Sequence, residues 1–265
     1  SVYLYRTPNG YQRIAKVIID ETEQSSTLRS LTQLTGGVTG LRANSQVANE
    51  MEAFQSPDLM QKVVERLYLE TRYYEDQFLR NVEYYQNSPV ELRLIEGNPQ
   101  NSFSFTTVNL GDNKILLKDF VIGPDDVKGT AEAVLGQPTN TPAGVLTIIP
   151  TMFIGEFKND IGISWSSSMG RAKTICQNLS VSLSTKESTV VSLSLEDTYP
   201  GRASAILSTL IDTYNEDWIR NKNRSARNTS DFINDRLILI EKELGGVESE
   251  LKAYKEQNNL TDMSA

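Results

Sequence analysis

The sequence predicts an α+β fold, on three observations. Residues 90–195 hold short, alternating, β-branched segments separated by turn-forming residues. Helical periodicity flanks that stretch on its N-terminal side. From Pro200 to about Asn258 the chain reads as one long helix with a coiled-coil-like apolar seam. The organisation expected is a body over 1–199, with a loop-rich region at 123–160, and a long helical extension over 200–265.

Composition narrows the function classes. The chain has 265 residues, 38% hydrophobic and 23% charged, an ordinary balance for a folded domain with an appendage. Its net charge of −8 argues against nucleic acid as a partner, because such binders cluster an excess of Lys and Arg on one face. Cys176 is the only cysteine, so no intramolecular disulfide forms. There is no histidine, which removes Ser-His-Asp and Cys-His catalysis and every His metal site. No apolar run approaches the length of a membrane span. The chain begins mid-pattern at Ser1 and stops in a polar segment at Ala265, so it reads as a piece of a longer protein whose membrane segments lie elsewhere.

Residues 11–19 suit a strand, with Tyr11, Arg13, Ala15, Val17 and Ile19 on one face. Residues 21–40, rich in Ser, Thr and Gly and carrying Gly36-Gly37, read as a mobile connection. A helix is expected from about Ser45 to Phe54. Ser56-Pro57-Asp58 then starts another: Ser56 as N-cap, Pro57 where no N–H is needed, Asp58 at the positive end of the helix. Leu59, Val63 and Leu67, with Met60 and Val64 beside them, give it a core face. A further helical segment is read at about 74–86, carrying Phe78 and Val82. Strands are expected at 90–95, 103–108, 114–121, 145–149, 179–184 and 190–195. Gly111-Asp112-Asn113 and Gly123-Pro124-Asp125 mark turns. Residues 136–144, with Gly136, Pro138, Pro142 and Gly144, read as a surface loop, and 166–178 as a helix.

In the long helix, Leu207, Leu210, Tyr214 and Trp218 make one apolar stripe. Further on Ile233, Leu237, Ile240, Leu244, Val247, Leu251 and Tyr254 recur at steps of 4, 3, 4, 3, 4, 3, the a/d pattern of a coiled-coil seam. This seam is expected to pack against a partner helix, from the same chain or a neighbouring subunit; a helix buried in an all-α core is the plainer alternative. Gly245-Gly246 makes a kink there plausible. Arg220, Arg224 and Arg227 share one face, with no acidic residue between Asp217 and Asp231. The plainer reading is a solvated face supported by Glu216–Arg220 and Arg227–Asp231 pairs. The functional one is an anionic partner: a subunit edge, a lipid-linked sugar phosphate or an acidic polysaccharide. Cys176 reads as a buried structural thiol. No phosphate-binding loop is present. No catalytic residue, metal site or cofactor is assigned.

The ordered blocks resemble the Wzz/Wzc-like chain-length determinants, the polysaccharide co-polymerases. Tyr11 to Asp20 is similar to that family's membrane-proximal strand. Val47-Ala-Asn-Glu-Met-Glu-Ala-Phe-Gln-Ser-Pro-Asp-Leu-Met60, continuing through Val63 to Leu67, looks like its N-terminal block. Tyr85-Gln-Asn-Ser-Pro-Val90 resembles its turn into a strand. Leu179–Leu183, Val190–Leu195, Pro200-Gly-Arg-Ala203 and Tyr214 resemble its strand–strand–helix signature, and Phe232–Leu237 through Leu251–Lys255 its long-helix block. The resemblance spans about four-fifths of the chain. It implies a membrane-proximal α/β base domain with a long protruding helix, in the periplasmic part of an inner-membrane protein. It also implies a ring of identical subunits acting with a polysaccharide polymerase or export machinery on the growing O-antigen, capsular or exopolysaccharide. Such a fragment is not itself an enzyme, although some relatives carry a cytoplasmic tyrosine autokinase. Region 123–160 has no clear counterpart in the short members, which favours the larger, kinase-linked or capsule-type branch. The main alternative is a periplasmic adaptor of an efflux or secretion complex. Its usual lipoyl-like motif, split by a helical hairpin, is not evident here. A third reading is an isolated coiled-coil interaction protein.

Overall fold

The computed structural model describes residues 10–19, 40–77, 80–184 and 189–257. The connection expected at 21–40 lies, but for Gly40, outside the described residues, as does Phe78. The chain divides into two units, Ser1–Tyr214 and Asn215–Ala265.

The first unit contains two apolar cores. One is built on a three-stranded antiparallel sheet in the order β1-β13-β12, formed by Tyr11–Ile18, Val190–Asp197 and Leu179–Leu183. Alternation sets its buried face. Ala15, Val17 and Ile19 from β1 and its end, Val191, Leu193 and Leu195 from β13, and Leu179 and Val181 from β12 all contribute to one cluster. Four helices supply the rest: α1 (Gly40–Phe54), α2 (Pro57–Leu67), α3 (Ser168–Asn178) and the start of α4 (Pro200–Gln257).

The local signals for these helices act as the sequence implies, with one difference. Pro57 opens α2, and its face Leu59, Met60, Val63, Val64 is buried. Ser56 has the extended N-cap backbone but makes no side-chain cap bond. The capping hydroxyl is instead found at α3, where Ser167 Oγ accepts from Gly170 N at 3.1 Å.

The second core lies among antiparallel strands. A three-stranded sheet runs β4-β10-β9, from Val90–Glu96, Gly144–Pro150 and Pro138–Thr141. A seven-stranded sheet runs β3-β2-β11-β5-β6-β7, with β8 also pairing β6. Its strands are β2 (Thr71–Gln77), β3 (Arg80–Tyr84), β5 (Phe103–Gly111), β6 (Lys114–Ile122), β7 (Asp125–Val127), β8 (Ala131–Val134) and β11 (Ile161–Trp165). Leu92, Leu146 and Ile148 from the smaller sheet join Phe105, Ile115, Leu117, Phe120, Ile161 and Ile163 from the larger in one buried cluster.

The expected α/β base domain is therefore corrected. All pairings among the described strands are antiparallel, in three sheets. Between Thr71 and Trp165 ten strands follow one another, interrupted only by a 3₁₀ turn at Ile154–Glu156. An α/β sheet needs helical crossovers of a dozen or more residues between parallel strands, and the described residues of this stretch contain none.

Three local expectations change for the same reason. The helix read at 74–86 is the hairpin β2–β3, with Glu75 opposite Val82 and Tyr73 opposite Tyr84. Its tyrosines favour a pleated surface, and β11 fixes them there: a Cβ on Gly162 would fall 2.1 Å from the Tyr74 ring, so glycine is required opposite that tyrosine. The loop at 136–144 is the hairpin β9–β10, closed at Gly144 with φ +120°, while Gly136 at φ +82° sits in the turn between β8 and β9. Pro138 stands at the first residue of an edge strand, where a missing donor is tolerated. Region 123–160 is accordingly a run of short strands rather than loop.

Sequence-marked turns recur where expected. Gly111, Asp112 and Asn113 all have positive φ, the left-handed conformation that Gly, Asp and Asn tolerate best. Asp119, at φ +55°, marks a β-bulge against Ser104–Thr106 that turns Phe120 into the core, 5.2 Å from Phe105.

Candidate functional site

The second unit is helical from its start to Gln257, the end of α4. Its composition departs from that of a folded core. Ile233, Leu237, Ile240, Leu244, Val247, Leu251 and Tyr254 are between 49% and 61% exposed. At 3.6 residues per turn their alternating spacing places them along one slowly drifting stripe. Phe232, Ile238 and Leu239 are also exposed and widen the apolar face towards its N-terminal end. A helix of this length carrying such a stripe into water is incompletely satisfied, since exposed large apolar patches mark interaction surfaces. Gly245 and Gly246 do not interrupt α4, and nothing lies within 4 Å of where their Cβ atoms would stand.

Arg220, Arg224 and Arg227 are all exposed. Arg220 Nη1 lies 3.5 Å from Asp217 Oδ1, a contact on the helix surface one turn back. Arg220 thus has a carboxylate at the i,i+3 spacing, beside the i,i+4 position that the sequence assigns to Glu216. Lys222 Nζ sits 4.7 Å from the centre of the Trp218 ring, so Trp218 is exposed with a cation over its face. The stripe Leu207, Leu210, Tyr214 belongs to the first unit: Leu207 and Leu210 are buried, and Tyr214 packs 4.3 Å from Phe54. Tyr214 also donates to Glu50, and burial together with that carboxylate raises its hydroxyl pKa.

The first unit contains a charged cluster that sequence reading did not find. Arg202, in the first turn of α4, is buried and binds Asp197 of β13 and Glu83 of β3. Arg72 Nε lies 3.4 Å from Glu83, and the Arg202 guanidinium also lies 5.7 Å from the Tyr85 ring centre. Burial alone would lower the Arg202 pKa, but hydrogen bonds and charge from Asp197 and Glu83 outweigh it and hold it above its usual range. Burial would raise Glu83 and Asp197, yet Arg202 holds both carboxyls below theirs. Burial, with Arg72 and Arg202 nearby, pushes Arg171 down to about 10. This cluster ties β3, β13 and α4 together. Arg202 and Glu83 are 119 residues apart, and no spacing rule links them.

Other features of the first unit give no site. Cys176 is half-buried and burial raises its thiol, which disfavours the reactive thiolate. A cleft of about 460 Å³ beside β6 and β7 is open, and its Lys118 is engaged by Asp160 at 3.0 Å. Among the described residues no helix is long and apolar enough to cross a membrane. No family model and no curated protein matches the chain.

Proposed function

We propose that this chain is an extracytoplasmic scaffold domain of a polysaccharide chain-length determinant. In this reading it acts by assembly, through the α4 stripe, and leaves polymerisation or export of the polysaccharide to a partner machine. The exposed heptad stripe of Ile233 to Tyr254 carries the proposal, because a seam of that length has a physical use only when another helix covers it. The blocks that carry the family resemblance support it. They fall in order on β1, on α1 and α2, at the turn before β4, on β12 and β13, and on α4. The body is built on antiparallel sheets, so the proposal draws nothing from an α/β base. A tyrosine autokinase elsewhere in the parent and a location in the periplasm belong to the same proposal.

The test is Leu244→Asp in the full-length parent. Covering a leucine is worth roughly 1.5–3 kcal/mol, and a carboxylate in its place adds a desolvation cost. The expected result is polysaccharide of unregulated length, or none, at unchanged protein level. An unchanged length distribution with the protein correctly inserted would sink the proposal.

The antiparallel β-rich body favours a second reading, a periplasmic adaptor of an efflux or secretion complex. Deletion of the parent separates the two: loss of polysaccharide length control supports the scaffold, and sensitivity to exported compounds with normal polysaccharide supports the adaptor.

A further inference from the structure

A solvated face neutralised by its own carboxylates needs a partner for each of Arg220, Arg224 and Arg227. Helix α4 supplies one, with Arg220 against Asp217. Among the described residues no carboxylate pairs with Arg224 or Arg227, and Asp231, one turn beyond Arg227, makes no ion pair with it. From Trp218 to Ser230 the helix carries four cations and no carboxylate, in a chain whose net charge is −8.

At 3.6 residues per turn the three arginines fall within an arc of about 60° and span about 10 Å of the helix axis. Asn223 and Asn228 flank that arc, and both are exposed. Asp217 and Asp231 stand at its two ends and bound the face. Lys222 falls on the far side of the helix, over the Trp218 ring. The apolar seam that begins at Ile233 also runs along the far side, so a helix covering it leaves the arginines open to solvent.

This arrangement selects a ligand class. A single phosphate is held where donors converge. These guanidiniums are strung along an axis, so a ligand whose charges repeat along a line meets more of them. The face holds no apolar side chain, and so lacks the anchor around which a protein partner packs. It holds no aromatic ring on which a base could stack. Guanidiniums pair with carboxylates and phosphates, and the flanking carboxamides both donate to and accept from hydroxyls. We infer that the Arg220–Arg227 face binds an acidic polysaccharide, with its anionic groups on the guanidiniums and its hydroxyls on Asn223 and Asn228. The inference goes beyond the assembly reading: it concerns the opposite face of α4 and a saccharide ligand rather than a helix. Arg224 and Arg227 carry the larger share, because Asp217 already engages Arg220. Exposed ion pairs contribute little singly, so one chain binds weakly and several chains on one polymer bind more tightly.

Binding of this chain to polygalacturonate, a linear polyuronate, tests the face, with dextran as the neutral polymer. The chain should bind the polyuronate, less so at high salt, and should not bind dextran. Arg224→Gln with Arg227→Gln should weaken binding roughly tenfold, and Arg220→Gln should weaken it less. Arg236→Gln with Lys242→Gln removes the same charge outside the face and should leave binding unchanged. All five positions are exposed, so circular dichroism should be the same in every variant. No binding to the polyuronate, or equal losses from the two double variants, would overturn the inference. Inorganic pyrophosphate bound more tightly than the polymer would overturn it as well, in favour of a sugar-diphosphate head group. Polyglutamate bound as tightly as the polyuronate would do so in favour of an acidic protein edge. The chain-length assay is separate, because Leu244→Asp leaves this face in place. Its failure removes the scaffold proposal and keeps the ligand, and failure of polyuronate binding leaves the seam untouched.

Discussion

Arg202 shows how one side chain sets the stability of the first unit. It is 4% exposed and engaged by Asp197 and Glu83. Removing one member of such a cluster leaves the others charged and buried, which typically costs about 3–5 kcal/mol. Arg202→Ala should therefore lower the unfolding free energy of the first unit by about that amount in denaturant titration, and an effect below about 1 kcal/mol would contradict the assignment. The same cluster fixes an acid dependence. Glu83 and Asp197 are held below their ordinary values of 4.5 and 3.8. A depressed carboxyl contributes stability that is complete above its unfolded value and lost as pH falls through its folded value. Stability should thus decline as pH drops below about 4.5, and Glu83→Gln should flatten that decline while lowering stability at neutral pH.

At the scale of the element, α4 combines two environments in one helix. Its first turns bury Ala203, Ile206, Leu207 and Leu210, and tertiary packing holds them. From Asn215 on, apart from the half-buried Asp217 and Lys222, the described side chains are exposed, so that part depends on intrinsic propensity and on short-range pairs. Glycine is the weakest residue there. Gly245→Ala and Gly246→Ala place a methyl group in open space and should each stabilise the helix by roughly 1 kcal/mol. Circular dichroism should show the helical signal lost at higher temperature in both variants. Unaltered melting would mean that α4 beyond Tyr214 is held by something other than its own backbone. The β2–β3 hairpin shows the opposite case, where packing overrides local pattern. Tyr73 accepts a hydrogen bond from Leu92 N at 2.8 Å, and burial pushes its hydroxyl up to about 12, so the strand conformation is held by contacts distant in sequence.

At the scale of the whole molecule, the residues that stabilise the first unit are distinct from the stripe proposed to mediate assembly. The first unit closes around two apolar cores, whereas the described part of the second exposes a continuous apolar stripe. Under that proposal Leu244→Asp should act on assembly while leaving the first unit's unfolding transition in place. Arg202→Ala acts on that transition. The proposed scaffold role would use this separation, because subunits fold before they meet.

Periodicity alone located β1, α2, the strands β4, β5, β6, β10, β12 and β13, the helices α3 and α4, and the heptad stripe. In each, the residues that decide the conformation are neighbours in the chain: Pro57 at the start of α2, Ser167 before α3, Gly111-Asp112-Asn113 between β5 and β6. The exposure of the stripe and of Arg220, Arg224 and Arg227 needed the fold. So did the antiparallel architecture, which replaced the expected α/β base. Strands β2 and β3 became legible only once β11 was placed beside them, with Gly162 opposite Tyr74. The Arg202 cluster joins residues up to 130 positions apart, from Arg72 to Arg202. Local sequence carries turn chemistry and side-chain period, because both act over a few bonds. Strand partners and buried ion pairs arise where distant segments exclude water together, and that was decided by the tertiary structure.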